Sequence, residues 1–289
     1  DVGGAICQPK ARLGCSNIVL SGWSGGGSLM MWYQSLAEAG AGISDTAAGD
    51  PYTVAASRLP TANSIMMLAA HVSRHRIFTE WLDPSITDES QPHLRDAQLN
   101  LYDAANPNQP PYSADFLEHF AQAQVARNRR ITAWVKEKLA AIRASDSPWR
   151  EFAFTVHGTM ADPRWLDPSI EPSDRKAGSC YLGDPKIVND GPVGLARFCT
   201  LRSWLSQWSY DDARCDAIAS GSRITVPVLV IGNSADDACT PSHTQRLYDA
   251  VTHEQKHLHV VKGATHYYTG ANGAEHMAEA CGVIENFLA

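Results

Sequence analysis

Three stretches of this chain hold residue types that together can perform nucleophilic chemistry. Gly22-Trp23-Ser24-Gly25-Gly26 matches G-x-S-x-G, a turn that lifts a serine hydroxyl above the end of a strand. Gly232-Asn-Ser-Ala-Asp236-Asp237-Ala-Cys-Thr-Pro241 carries two acids just ahead of a proline suited to open a helix. Lys262-Gly-Ala-Thr-His266-Tyr-Tyr carries a histidine on a short connecting segment. A serine hydroxyl attacks a carbonyl only when a base takes its proton, and an acid must orient that base. Ser24, His266 and Asp236 fill the three roles. Position just after a strand favours Asp236 as the acid, whereas the distance to Pro241 favours Asp237. Asp236 is taken, with Asp237 expected to face solvent or a helix N-terminus. Gly25 follows the nucleophile and can offer its N–H to an oxyanion. Trp23 and Tyr267 adjoin the nucleophile and the base, which makes them the candidate substrate-binding residues.

A glycine-rich strand-to-helix turn can also cradle phosphate. The run here is G-x-x-G-G-G rather than G-x-G-x-x-G, and no Walker lysine follows, which favours the nucleophile. Among the other histidines, His253, His257 and His259 occupy surface or strand positions, while His71 and His75 flank a strand and could line a pocket. The seven cysteines are scattered without a C-x-x-C pair, so they read as reduced thiols of a cytoplasmic protein. No metal and no organic cofactor is implied.

These residues need elements to hold them. Apolar, β-branched runs at 17–22, 64–70, 224–231 and 257–262 read as buried strands. Helical spacing follows the glycine turn over 25–39, follows Pro241 to about residue 251, and recurs at Met277, Cys281, Ile284 and Leu288. Residues 44–63 read as a loop. Strands alternating with helices predict an α/β fold with a mainly parallel sheet. From residue 75 to about 221 the texture changes to proline-rich joints around one long helix, 114–144, with Ser113 as N-cap and Asp115 in its first turn. The expected organisation is therefore core at 1–74, a mostly helical cap or lid insertion at 75–221, and core again at 222–289. Trp81, Trp134, Trp165, Trp204 and Trp208 of the insertion could wall an apolar pocket or simply fill a core. Arg127, Arg129 and Arg130 read as a solvated helix face.

Composition excludes several classes. The 289 residues carry 24 basic and 31 acidic side chains, a formal charge of −7. That balance leaves no electrostatic footprint for nucleic acid or an anionic membrane surface. An apolar content of 44% excludes global disorder, and no apolar run approaches membrane-spanning length.

With G-W-S-G-G at 22–26, V-P-V-L-V-I-G-N-S-A-D-D-A-C-T-P at 226–241 and G-A-T-H-Y-Y at 263–268, in the order Ser, Asp, His, the chain resembles the α/β-hydrolase family. The match covers roughly residues 15–70 and 222–289. The resemblance implies a Ser24–His266–Asp236 triad and an insertion that caps the site. It also implies strands ahead of the nucleophile turn and a loop giving a second oxyanion N–H. His157-Gly158 looks like the family's oxyanion dipeptide, but it lies inside the insertion and is read as a cap or pocket feature. A second polypeptide supplying the upstream strands and the second donor is therefore expected as a partner. The expected activity is cleavage of a small carboxylic ester through a Ser24 acyl-enzyme. Acyl transfer, thioester or amide cleavage on the same residues, and a non-catalytic subunit of hydrolase fold, stand as alternatives.

Overall fold

The structure, a computed structural model, describes residues 2–146 and 148–289. Along the chain come α1 (Val2–Leu13), β1 (Val19–Trp23), α2 (Gly25–Glu38), β2 (Ile43–Asp45), β3 (Pro51–Val54) and β4 (Ser64–Leu68). Next are α3 (Arg74–Trp81), α4 (Ala114–Ala144), β5 (Ala153–Thr155), α5 (Pro163–Leu166), α6 (Pro185–Asp190), β6 (Phe198–Thr200) and α7 (Leu201–Gln207). The chain ends with α8 (Ala217–Gly221), β7 (Val228–Asn233), α9 (Pro241–Ala250), β8 (Lys256–Val261) and α10 (Gly273–Leu288). It divides into two compact units. The first comprises Asp1–Arg74, Ser173–Arg175 and Cys215–Ala289; the second comprises His75–Pro172 and Lys176–Arg214.

The first unit is built on a parallel sheet in the order β1-β4-β7-β8. Its central strands lack polar alternation because both faces are covered. Ile65, Met67, Val228 and Val230 pack with Met31 of α2 and Leu247 of α9. Met66, Leu229 and Ile231 pack on the opposite face with Val261, Tyr268 and Ala280. Burial of each such side chain contributes roughly 1.5–3 kcal/mol. Because the four strands run the same way, the segments that follow them all leave from one edge of the sheet. Those segments carry Ser24, His71, Asp236 and His266. This is a mainly parallel α/β sheet interrupted by a mostly helical segment.

Three features of this unit depart from the sequence reading. Residues 44–63 contain a short antiparallel hairpin, β2 on β3, turned through Gly49 at φ +76°. Its strands are brief and largely exposed, so they leave no alternating apolar pattern. Helix α1 carries no acidic first turn and has Pro9 inside it, yet Ile6 anchors it against Leu20, Tyr33 and Leu59. The unit resumes at Cys215 rather than 222. There the Asp216 carboxylate caps α8, and Ala217 and Ile224 join the same apolar cluster as Met31. On its other edge β1 has no neighbouring strand among the described residues.

In the second unit α4 runs for 31 residues from its Ser113 cap, whose Oγ accepts the Phe116 N–H. Trp81, Trp165 and Trp204 are almost wholly buried and fill the core, whereas Trp134 lines a cavity of about 700 Å³ with Ile131, Phe152 and Phe154. Arg127 overturns the expectation of a solvated helix face. It shares the inner face of α4 with Phe120, Gln124 and Ile131 and is 1% exposed. Its guanidinium donates to the carbonyls of Asp83, His157 and Gly158 at 2.7, 2.7 and 3.0 Å and pairs with Glu89 at 2.6 Å. Arg129 and Arg130 do lie at the surface, paired with Asp211 and Glu89.

Arg127→Met should therefore lower the melting temperature by roughly 5–10 °C, because each orphaned buried carbonyl costs about 1–3 kcal/mol. Arg127→Lys should recover little of this, since one ammonium cannot span the three carbonyls. Thermal unfolding followed by circular dichroism checks it, and an unchanged melting temperature contradicts the network.

Candidate active site

The sharpest turn in the first unit is a single residue. Strand β1 ends at Trp23 and α2 begins at Gly25, which leaves Ser24 alone between them at φ +52° and ψ −122°. An L residue in that region is strained and must be held there. The end of β4 holds it: the Ser24 N–H lies 3.1 Å from the carbonyls of Leu68 and Ala69, and the Ser24 carbonyl accepts the His71 N–H at 3.1 Å. Close approach explains the glycines. A Cβ on Gly22 would lie 2.6 Å from the backbone of Gly26 and Gly27, and one on Gly27 would lie 2.4 Å from the Ala70 Cβ. Gly26, the last glycine of the G-x-S-x-G match, has open space instead, and the tight contact falls on the next residue, Gly27.

The acid and the histidine meet. His266 Nδ1 lies 2.8 Å from Asp236 Oδ2 and 3.1 Å from Oδ1, and both residues are buried. The backbone N–H groups of Ala238 and Cys239 donate to Asp236 Oδ1 at 2.8 and 2.7 Å. Hydrogen bonds of this kind fix the plane of the carboxylate. Asp237, expected to face solvent or a helix N-terminus, does not lie in open solvent. It is half-buried, and burial, followed by the Asp236 charge, pushes its carboxyl up to about 6.

The two aromatic candidates flank His266. The Trp23 ring lies 5.8 Å from the His266 ring and the Tyr267 ring 4.7 Å from it, both edge to face. Each stays partly exposed, at 38% and 51%. Gly25 is the first residue of α2, so its N–H has no acceptor within the helix.

Two residues that the sequence left in minor parts stand at the centre. His71 Nε2 lies 3.1 Å from Ser24 Oγ, and His71 Nδ1 lies 3.1 Å from Cys239 Sγ. The signal for His71 was its place just beyond β4, the parallel neighbour of β1. Cys239 carried none, because its contact comes from the helical turn that Asp236 organises. Burial, then the Asp236 charge, pushes the Cys239 thiol far above its ordinary value, so it stays protonated. Asp236, Cys239 and His266 also offer ligand atoms within 4.8 Å of one another. The Asp236 carboxylate is already engaged by two backbone donors and the imidazole, the pattern of a hydrogen-bonded pair rather than of a chelate.

No protein-family model and no curated protein matches the chain. Solved structures similar to it include a monoacylglycerol lipase of Paleococcus ferrophilus, at 16% identity and TM-score 0.41 over 96% of this chain and 72% of that one. The esterase domain of a Rhodothermus marinus protein is similar at 11% identity and TM-score 0.42, over 98% of this chain and 66% of that one. An esterase of Exiguobacterium antarcticum is similar at 11% identity and TM-score 0.35 over 99% and 72%. At such TM-scores these likenesses assign no activity; only the site's own chemistry can. No described helix is long and apolar enough to cross a membrane.

Two outcomes follow for the paired acids. Asp236→Asn should lower kcat for ester cleavage by orders of magnitude, because the amide no longer enforces the His266 tautomer, whereas Asp237→Asn should change kcat little; the reverse ranking moves the role to Asp237. The raised Asp237 value also sets a stability window. Its ionised form is disfavoured in the folded state, so that cost is absent below the unfolded value near 3.8 and full above about 6. Asp237→Asn should raise the melting temperature at pH 8 and leave it nearly unchanged at pH 3.5; an equal shift at both contradicts the burial argument.

Proposed function

We propose that the chain carries a serine hydrolase of carboxylic esters that works through a Ser24 acyl-enzyme. The observation that supports it most is the Asp236–His266 pair on the same sheet edge as a serine in a strained, clamped turn. Asp236 accepts the proton on His266 Nδ1, which leaves Nε2 with its lone pair and makes it the base. In the reaction Nε2 takes the Ser24 hydroxyl proton while Oγ bonds to the substrate carbonyl carbon, and the carbonyl electron pair moves onto oxygen. The Gly25 N–H stabilises that oxyanion, with the N-terminus of α2 behind it. Collapse breaks the ester C–O bond, and the departing alcohol takes the proton from His266. Water then attacks the acyl carbon by the same route, its proton passing through His266 to Ser24 Oγ. Trp23 and Tyr267, which are exposed beside the base, give the substrate an apolar, aromatic contact.

The same reading includes a second polypeptide. Among the described residues no strand pairs with the outer edge of β1, which lies beside an apolar cleft of about 390 Å³ lined by Ile6, Ile18 and Leu20. An added strand there would cover a long edge that is otherwise prone to aggregation, and the loop following that strand would supply the second oxyanion donor.

Turnover of short p-nitrophenyl esters tests the enzyme reading. The protein, alone or with its partner, should cleave them, and Ser24→Ala should lose activity by several orders of magnitude, up to roughly 10⁶-fold, while its circular dichroism spectrum is unchanged. Retained turnover in Ser24→Ala contradicts it.

A further inference from the structure

In the second unit the cavity beside Trp134 runs along an unpaired edge of β5. The Phe152 and Phe154 rings stand edge to face with the Trp134 ring, at 6.2 and 5.1 Å, so they share the face of the strand that looks at α4. Ala153 and Thr155 belong to the opposite face. Yet residues 152 to 156 all line the cavity, together with Ile131, Trp134 and the turn at 87–90. A space bordered by residues of both faces passes along the edge of the strand. That edge is not the one held by β6. The Val156 N–H donates to the Arg197 carbonyl at 2.9 Å and the Leu201 N–H donates to the Phe152 carbonyl at 3.2 Å. Phe154 lies opposite Cys199, midway between them. Alternate residues bond the partner in an antiparallel pair, so 152, 154 and 156 direct their main-chain groups to β6. The N–H and C=O of Ala153 and Thr155 point the other way, and among the described residues no strand meets them. Ala153-Phe154-Thr155 carries no charge, proline or bulge of the kind that protects an edge. Three residues are too few to start open-ended pairing and enough to hold a short segment.

The two ends of this groove differ. Trp134, Phe152 and Phe154 make one end apolar and aromatic. The turn at 87–90 closes the other. Arg127 pairs with Glu89 at 2.6 Å and donates to the His157 carbonyl at 2.7 Å, which sets that turn beside the Val156 end of the strand. Glu89 also pairs with Arg130 at 3.0 Å, so its charge is matched. Asp88 accepts the Ser90 N–H and O–H at 2.8 and 2.7 Å and has no ion pair among the described residues. The Ser90 bonds hold its carboxyl below the usual carboxylate range, so it is ionised at neutral pH. An extended chain meets all three features: it repeats every two residues like the strand edge, and its alternate side chains can bring an apolar group and a cation to one face. We propose that this groove takes a short extended segment of another protein, which adds a strand to β5 through the main chain of Ala153 and Thr155, sets an apolar side chain against Trp134 and Phe152, and places a basic side chain beside Asp88. The site lies within the second unit and does not rest on the hydrolase reading.

Fluorescence anisotropy of the whole protein with a fluorescein-labelled, C-terminally amidated peptide, Thr-Leu-Thr-Lys-Thr-Leu, tests this. Leucine on both sides of the lysine admits either chain direction. The peptide should bind with a Kd below about 1 mM. Two forms with N-methyl groups on alternate nitrogens, in one phase or the other, report main-chain pairing. One phase should abolish measurable binding and the other leave Kd within about threefold, because only one edge of an added strand faces β5. Trp134→Ala should raise Kd about 5- to 10-fold. Asp88→Lys should raise it about 2- to 5-fold, and glutamate in place of the peptide lysine should recover that loss. Both positions are exposed, so circular dichroism of the variants should match wild type. No binding at about 1 mM peptide overturns the proposal. Two methylated forms that behave alike also overturn it, in favour of a cavity that takes side chains or small apolar molecules only. Binding untouched by both Trp134→Ala and Asp88→Lys puts the peptide on another edge, such as that of β1, and overturns it as well. Ester turnover, present or absent, bears on none of these readouts.

Discussion

Everything else in the site depends on the backbone of Ser24. One residue joins a strand to a helix at φ +52°, and it persists there because the end of β4 grips both its N–H and its carbonyl. The grip works only because β1 and β4 lie side by side in parallel register, with Trp23 opposite Leu68. Strain of this kind costs about 1–3 kcal/mol, which the packed apolar faces of the central strands offset many times over. The clamp also delivers His71, since the chain that supplies the gripping carbonyls reaches the serine hydroxyl with its next side chain but one.

Parallel strands convert a scattered sequence into one constellation. Residues 24, 71, 236 and 266 are far apart in the chain, yet each follows a strand that ends at the same edge. The Asp236 segment does two things there. Its carboxylate orders His266, and by accepting the Cys239 N–H it also places the thiol against His71. His71 lies against the serine hydroxyl, and His266 is held by the acid.

Much of this frame was legible in the residues. Unbroken apolar runs at Ile65–Met67 and Val228–Ile231 marked strands covered on both faces, and Ser113 ahead of a periodic run marked the start of α4. What was not legible was small, exposed or tertiary. The hairpin of β2 and β3 has too few buried positions to set a period. Arg127 is charged and sits in a basic triplet, so only the three carbonyls it meets reveal that it is a buried strut. For the site, the order of Ser24, Asp236 and His266 stood out because turn chemistry and helix starts punctuate the sequence beside them. Asp237 could not be separated from Asp236 by spacing, since a one-residue shift in a loop turns a carboxylate toward a different neighbour. His71 and Cys239 were hidden for a related reason: their meeting depends on the β1–β4–β7 order.

The central claim is that Ser24 is a nucleophile activated by His266. Treating the purified protein with a fluorophosphonate probe and mapping the adduct by peptide mass spectrometry tests it most directly. The account predicts a single adduct on Ser24, absent after heat denaturation and strongly reduced in His266→Ala. Labelling elsewhere, no labelling of the native protein with its partner present, or undiminished labelling of His266→Ala would contradict it.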